Sequence, residues 1–152
     1  MINKTLTIGL ICSLVALVIT SCKTKQYTFD SYDGKVLAIG SGGGFTGATS
    51  KYYLFENGQL FKSNRGGESP EQLAKIDPQL IKQQFDNYYT LGLDEMQLDA
   101  PGNMTYFIIM HPNTDKQHMI KWGGGAAEPT QELEQYYKLL SQIIKKHSVP
   151  SM

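Results

Sequence analysis

Residues 51–62 read Lys51-Tyr52-Tyr53-Leu54-Phe55-Glu56-Asn57-Gly58-Gln59-Leu60-Phe61-Lys62, and no other stretch constrains the fold as tightly. Two short runs rich in aromatic and aliphatic residues flank Asn57-Gly58, the dipeptide that most readily takes positive φ at both centres of a two-residue type I′ turn. Such a turn pairs Phe55 with Leu60 and Leu54 with Phe61. Both faces of the hairpin are then partly apolar, so it is expected at the centre of a sheet or covered on both sides.

The run before it, Gly40-Ser41-Gly42-Gly43-Gly44-Phe45-Thr46-Gly47, contains a literal GxGxxG and follows an apolar segment, Val36-Leu37-Ala38-Ile39. A dinucleotide fingerprint needs a helix after the glycines, so that its N-terminus faces the pyrophosphate. Here a hairpin follows. Gly47 is succeeded by Ala48-Thr49, so the Gly-Lys-Ser/Thr of a phosphate-binding loop is missing too. Nucleotide binding is therefore set aside, and no cofactor is implied. Two readings remain. In one, the glycines permit positive φ and close backbone approach between paired strands. In the other, Gly42, Gly43, Gly44, Phe45 and Thr46, together with Trp122, form a partner-binding loop with Phe45 as aromatic anchor.

Other elements follow from periodicity and punctuation. Lys35–Ser41 reads as a buried strand. Ser69-Pro70-Glu71-Gln72 fits a helix start with a capping box. Asp77-Pro78 opens a second helix with Ile81, Phe85, Tyr88 and Tyr89 on one face and Gly92 as its stop. Leu93–Asn103 reads as a loop. Met104–Met110 and His118–Trp122 read as strands joined by a hairpin loop. The last helix spans about Pro129 to His147, with Leu133, Tyr136, Tyr137, Leu140 and Ile144 in a stripe. The expectation is an α+β domain with an antiparallel sheet of about five strands, in the order β-β-β-α-α-β-β-α, and helices packed on one face.

The N-terminus places one cation, Lys4, ahead of an apolar run from Leu6 to Ile19, the layout of a secretory signal. Ile19-Thr20-Ser21-Cys22 resembles the lipobox of bacterial lipoproteins, a likeness confined to the first 22 residues. It implies cleavage before Cys22, a diacylglyceryl thioether on its sulfur and an acyl group on its new amine. Residues 1–21 are then the signal peptide, 22–33 a lipid-attached tether and 34–148 one globular domain. Cys12 falls in the discarded segment, so the lipid takes the mature chain's sole cysteine thiol. Lys23 stands where an aspartate would retain an enteric lipoprotein at the inner membrane. The resemblance thus implies a lipid-anchored protein of the bacterial cell envelope, at the outer membrane, with the bilayer as its partner through Cys22.

Composition supports a folded domain and removes one class of partner. Lys plus Arg and Asp plus Glu stand at 14 each. A balanced chain without a basic stripe carries no electrostatic footprint for nucleic acid. His111 and His118 flank one hairpin loop with Asp115 between them, which could in principle bind zinc, but histidines on a hairpin are more often solvent-facing, so no metal is assigned. Gly123-Gly124-Gly125 before the last helix suits an anion, although Glu128 and Glu132 already occupy that dipole. Asp94, Glu95 and Asp99 read as a solvated acidic loop and His147 as a helix cap. The sequence favours a non-enzymatic binding module with a protein or small-ligand partner. The alternative is an envelope hydrolase built on His111 or His118, for which no nucleophile-elbow motif is present.

Overall fold

The computed structural model describes residues 26–45, 47–63, 68–124 and 127–148. The signal segment, Cys22 and Thr46 lie outside them. Seven strands form one sheet: β1 (Val36–Gly43), β2 (Ala48–Phe55), β3 (Gln59–Lys62), β4 (Glu71–Lys75), β5 (Asp99–Ala100), β6 (Met104–Met110) and β7 (His118–Trp122). Their spatial order is β4-β3-β2-β1-β6-β7-β5. Every neighbouring pair is antiparallel except β5–β7, which is parallel. Helices α1 (Pro78–Thr90) and α2 (Gln131–Ser148) complete the domain.

The α+β class agrees with expectation, whereas the strand count and order match only in part. The segment after Ser69-Pro70 is not a helix but β4, paired with β3. Asp77-Pro78 leaves it too short for more than a nucleating turn, which is unstable alone. Pairing also satisfies the outer amides of β3 that would otherwise be orphaned. The second difference is β5, two residues inside the expected loop. It adds to β7 through Lys121 N–H donating to the Leu98 carbonyl at 2.8 Å and a Lys121–Asp99 ion pair at 2.9 Å.

Alternation along the strands divides the sheet into two unlike faces. Leu37, Ile39, Leu54, Leu60, Ile108, Met110, Ile120 and Trp122 point to one. Ile81, Phe85 and Tyr88 of α1 cover it with Leu133, Tyr136, Leu140, Ile143 and Ile144 of α2. The helices are tied together by the Tyr136 hydroxyl donating to the Gln84 carbonyl at 2.8 Å. Helix α1 has the ends its sequence predicts. The Asp77 carboxylate accepts from Gln79 N–H at 2.9 Å. Gly92, at φ 67°, closes a Schellman motif in which Leu93 N–H reaches the Tyr88 carbonyl and Gly92 N–H that of Tyr89.

The β2–β3 hairpin forms where expected but in another register: Leu54 pairs with Leu60 and Tyr53 with Phe61. The connection is a three-residue loop rather than a two-residue type I′ turn. Gly58 N–H donates to the Phe55 carbonyl at 2.8 Å, and only Gly58 takes positive φ, at 90°. This is a type I turn closed by a glycine bulge. A one-residue slip moves every side chain to the other face. Leu54 and Leu60 thereby join the helical core, while Tyr53, Phe55 and Phe61 form a second cluster with Ala38 and Ile109 on the opposite face.

The chain ahead of β1 covers that second cluster. Phe29, within a 3-10 turn (Phe29–Ser31), packs against Tyr53, Phe55 and Phe61 at ring-centroid distances of 4.7 to 5.7 Å. Tyr32 stacks on Phe55 at 4.4 Å. Within the stretch expected as a tether, residues 27–32 pack against the domain. Gln59 fastens them: its buried amide accepts from Tyr27 N–H at 3.0 Å and donates to the Tyr27 carbonyl at 2.7 Å.

Candidate functional site

Strand β1 runs two residues further than its apolar pattern suggests, and three glycines of the run lie inside it. A Cβ on Gly40 would collide with the Ser50 carbonyl and the Phe107 ring, and one on Gly43 with the Asn103 carbonyl. These glycines let β2 and β6 close on β1 from both sides. Gly43 sits at φ 116° and Gly44 at φ 69°, turning the chain out of the strand. Gly44 N–H donates to the Asn103 carbonyl at 2.7 Å. Phe45 stands at the tip, fully exposed. Beside it on the neighbouring strand Met104, paired with Gly43, is also exposed.

The other member of the expected loop site lies elsewhere. Trp122 is only 5% exposed and faces the helices, near-parallel to Tyr106 at 6.0 Å and edge-on to Tyr137 at 5.2 Å. It does not share an exposed surface with Phe45. Its role is packing, because its register opposite Tyr106 aims it beneath α2. Thr46 lies outside the described residues.

Trp122 and Tyr106 instead pack against Tyr137, which lines a groove that the sequence reading missed. Ser50, Ser41, Tyr106 and Trp122 lie in one row across β2, β1, β6 and β7 on the helical face. The C-terminal half of α2 crosses above them. Between helix and sheet lies a cavity of about 230 Å³ lined by Ile39, Ser41, Ser50, Tyr52, Tyr137, Ser141 and Lys145, among others. A second cavity, of about 460 Å³, shares Ser41 and Ser50 and continues past Lys62 and Met104 towards the glycine hairpin. The Tyr137 hydroxyl donates to the Gly40 carbonyl at 3.1 Å and is hydrogen-bonded by Ser41 and Ser141. Burial pushes this phenol above its usual range, so it remains a neutral donor at physiological pH. The signal for this groove was in the sequence as serines at 41, 50 and 141, but only the tertiary register brings them together.

The histidines do not converge. His118 belongs to the helical face, where its Nδ1 lies 2.6 Å from the Tyr88 hydroxyl and its Nε2 3.0 Å from the Met96 carbonyl. A carbonyl can only accept, so Nε2 carries the proton, and both ring nitrogens are engaged. His111, at φ 50°, lies on the opposite side with Phe29, Tyr32 and Lys35 in a cavity of about 700 Å³. Desolvation, then Lys35 and Lys116, hold its imidazolium below the usual range. Among the described residues no group of three or more His, Cys, Asp or Glu could hold a metal ion. In the acidic loop Asp99 is committed to Lys121, and His147 donates from Nδ1 to the Ile143 carbonyl at 2.8 Å, as a cap. Gly123 and Gly124 are separated from α2 by a connection in which Thr130 accepts from Leu133 N–H.

No protein-family model matches this chain, and a search of curated proteins finds no similar sequence. No helix among the described residues is long and apolar enough to cross a membrane.

Proposed function

We propose that the protein is a lipid-anchored lipoprotein of the bacterial cell envelope whose domain is a non-enzymatic binding module, with the glycine hairpin presenting Phe45 to a protein partner. The observation that carries this reading is polarity along the sheet. The chain enters at Tyr27, held by Gln59 beside the β2–β3 turn. The glycine hairpin lies at the other end of β1, seven residue steps from Val36, or about 24 Å. Five residue steps separate Cys22 from Tyr27, a reach of at most ~18 Å. An acyl anchor at Cys22 therefore holds the Gln59 end near the bilayer and points Phe45 away from it, towards a partner rather than into lipid.

Burying an exposed phenylalanine in a partner is worth roughly 1.5–3 kcal/mol, and aromatic side chains of this kind dominate binding hot spots. Met104 and Tyr106 extend the apolar surface at the same end. The hydrolase alternative is left with His111 alone, because His118 spends both nitrogens on structure and lies across the sheet from it. Two variants test the two halves of the proposal. Cys22→Ala should move the protein from the membrane to the soluble fraction; retention in the membrane would refute the anchor. Phe45→Ala should keep the wild-type melting temperature yet lose in-cell crosslinking to a partner placed at residue 47 or 104. Unchanged crosslinking would refute the hairpin as the contact.

A further inference from the structure

The contact between α2 and the sheet changes character along its length, and three elements change together. On β1 the helical face runs Leu37, Ile39, then Ser41. On β2 it runs Leu54, Tyr52, then Ser50. On α2 the apolar stripe through Leu140, Ile143 and Ile144 is joined, on the groove side, by Ser141, Lys145 and Ser148, with Ile144 lining the same cavity. An interface left to pack for stability alone would continue with aliphatic side chains, since burying hydroxyls gains nothing over burying methyls. Here six hydroxyls line one cavity instead, those of Ser41, Ser50, Tyr52, Tyr137, Ser141 and Ser148.

The charges around the groove all have one sign. Lys145 lines the first cavity and Lys62 the second, and among the described residues no carboxylate lines either. Neither lysine makes an ion pair among the described residues, where the ion pairs are Lys35–Glu56 and Lys121–Asp99. Lys62 instead lies over the Tyr52 ring at 5.9 Å, with its ammonium beside the groove. Ser50 lines both cavities. The 230 Å³ cavity equals the liquid volume of roughly seven or eight waters, room for one sugar-sized body.

We propose that this groove is a binding site for a small hydroxylated anion, a sugar acid or sugar phosphate, whose hydroxyls meet Ser41, Ser50 and Ser141 and whose anionic head lies between Lys62 and Lys145. Tyr137 orders the wall: with its hydroxyl fixed by the Gly40 carbonyl, Ser41 and Ser141 are held at the rim of the cavity. Tyr52 supplies an aromatic surface for the ring of the ligand. An ammonium acts as a mobile point charge with three donors, so the site accepts a carboxylate or a phosphate head by the same chemistry. The site is independent of the lipid anchor and of the Phe45 contact, and either could fail without affecting it.

Serine amides report on it directly. The full-length chain, labelled with ¹⁵N-serine and held in a non-ionic detergent, is titrated into the millimolar range with gluconate, glucose 6-phosphate or glucose. Saturable shifts are expected at Ser41, Ser50 and Ser141 with at least one of the two anions, while Ser31 and Ser69, outside the groove, stay still. Glucose should bind at least tenfold more weakly. The two anion arms distinguish a carboxylate head from a phosphate. The doubly substituted Lys62→Met/Lys145→Met protein, whose two positions are exposed, should fold normally and bind the anions at least tenfold more weakly. Tyr137→Phe keeps the ring packed on Trp122 but removes the hydroxyl, and should weaken binding too. Absence of saturation with both anions, an equal response to glucose, or unchanged affinity in the double variant would each overturn the proposal.

Discussion

Gln59 is the residue on which the N-terminal cover depends, and Gln59→Met tests that directly. A primary amide offers two acceptor sites and two donors. In Gln59 all four are used: Oε1 accepts from Tyr27 N–H at 3.0 Å and Asn57 Nδ2 at 2.7 Å, and Nε2 donates to the Tyr27 carbonyl at 2.7 Å and Gln72 Oε1 at 3.2 Å. Methionine keeps the volume and opens no cavity, so the loss is one of hydrogen bonds. At roughly 0.5–1.5 kcal/mol net per bond, four bonds total about 2–6 kcal/mol. Their partners lie where water can replace part of the loss, which puts the expected destabilisation at about 2–4 kcal/mol, a large share of the ~5–15 kcal/mol typical of a domain. With a urea m-value of about 2 kcal/mol/M the midpoint should fall by about 1–2 M. The m-value should fall as well, because detachment of residues 27–32 in the native state pre-exposes Phe55 and Phe61. Hydrogen exchange adds the local readout: the Tyr27 amide should lose protection before the β1 amides do. A midpoint shift below about 0.3 M at unchanged m, or a Tyr27 amide as protected as in the wild type, would refute the role given to Gln59.

Two further substitutions probe the backbone and the histidine. Gly43→Ala places a side chain at φ 116° against the Asn103 carbonyl, whereas Gly47→Ala meets open space at φ 59°. The first should lower Tm by about 10 °C or more and the second by about 3–5 °C, from roughly 3 and 1 kcal/mol of backbone and steric cost; equal losses would show that β1 and β6 tolerate a wider gap. His111 titrates below its usual range through desolvation, then Lys35 and Lys116, with Glu56 opposing them. The unfolded chain therefore binds that proton more tightly. Its contribution is complete above about pH 6.5 and is lost as pH falls towards the folded pKa. The effect is small because the ring is mostly solvated. His111→Asn, which tolerates the positive φ, should flatten that part of the stability profile; an unchanged slope would assign the linkage to another group.

Local signals carried much of the fold. Asp77-Pro78 and Gly92 delimit α1 because capping is a contact between near neighbours in sequence, and the same holds for the α2 stripe. The β6–β7 hairpin was legible from two apolar runs either side of a short loop. Legibility ended where distant residues decide. Nothing local distinguishes β4 from a helical turn, since its strand state depends on an outer edge of β3 that needs a partner. The register of β2–β3 turned on Gly58 alone taking positive φ, a choice that Asn57-Gly58 permits either way. Trp122 reads as exposed or buried with equal ease until β7 is set beside β6. The groove was invisible for the same reason: Ser41, Ser50 and Ser141 are unremarkable singly and share a cavity only through the β1–β2 register and the seating of α2.

The glycine run and the groove meet at Ser41. In its last four residues β1 carries one side chain, that of Ser41; Gly40 and Gly42 leave the far face to Phe107 and Thr49, and Gly43 leaves the near face bare. On the near face Ser41 and, opposite it on β2, Ser50 are small side chains beneath α2, and the gap beside them is the cavity that Tyr137, Ser141 and Lys145 roof. Glycines in a central strand cost stability, because they bring maximal chain entropy and no packing. The cost is spread over three positions that also let β2 and β6 approach β1 more closely than any side chain would allow. A strand thinned in this way gains tight backbone pairing at its end. The run therefore acts through the side chains it omits on the far face and at the tip, where Phe45 turns outward, while the groove on the near face follows from the small Ser41 and Ser50.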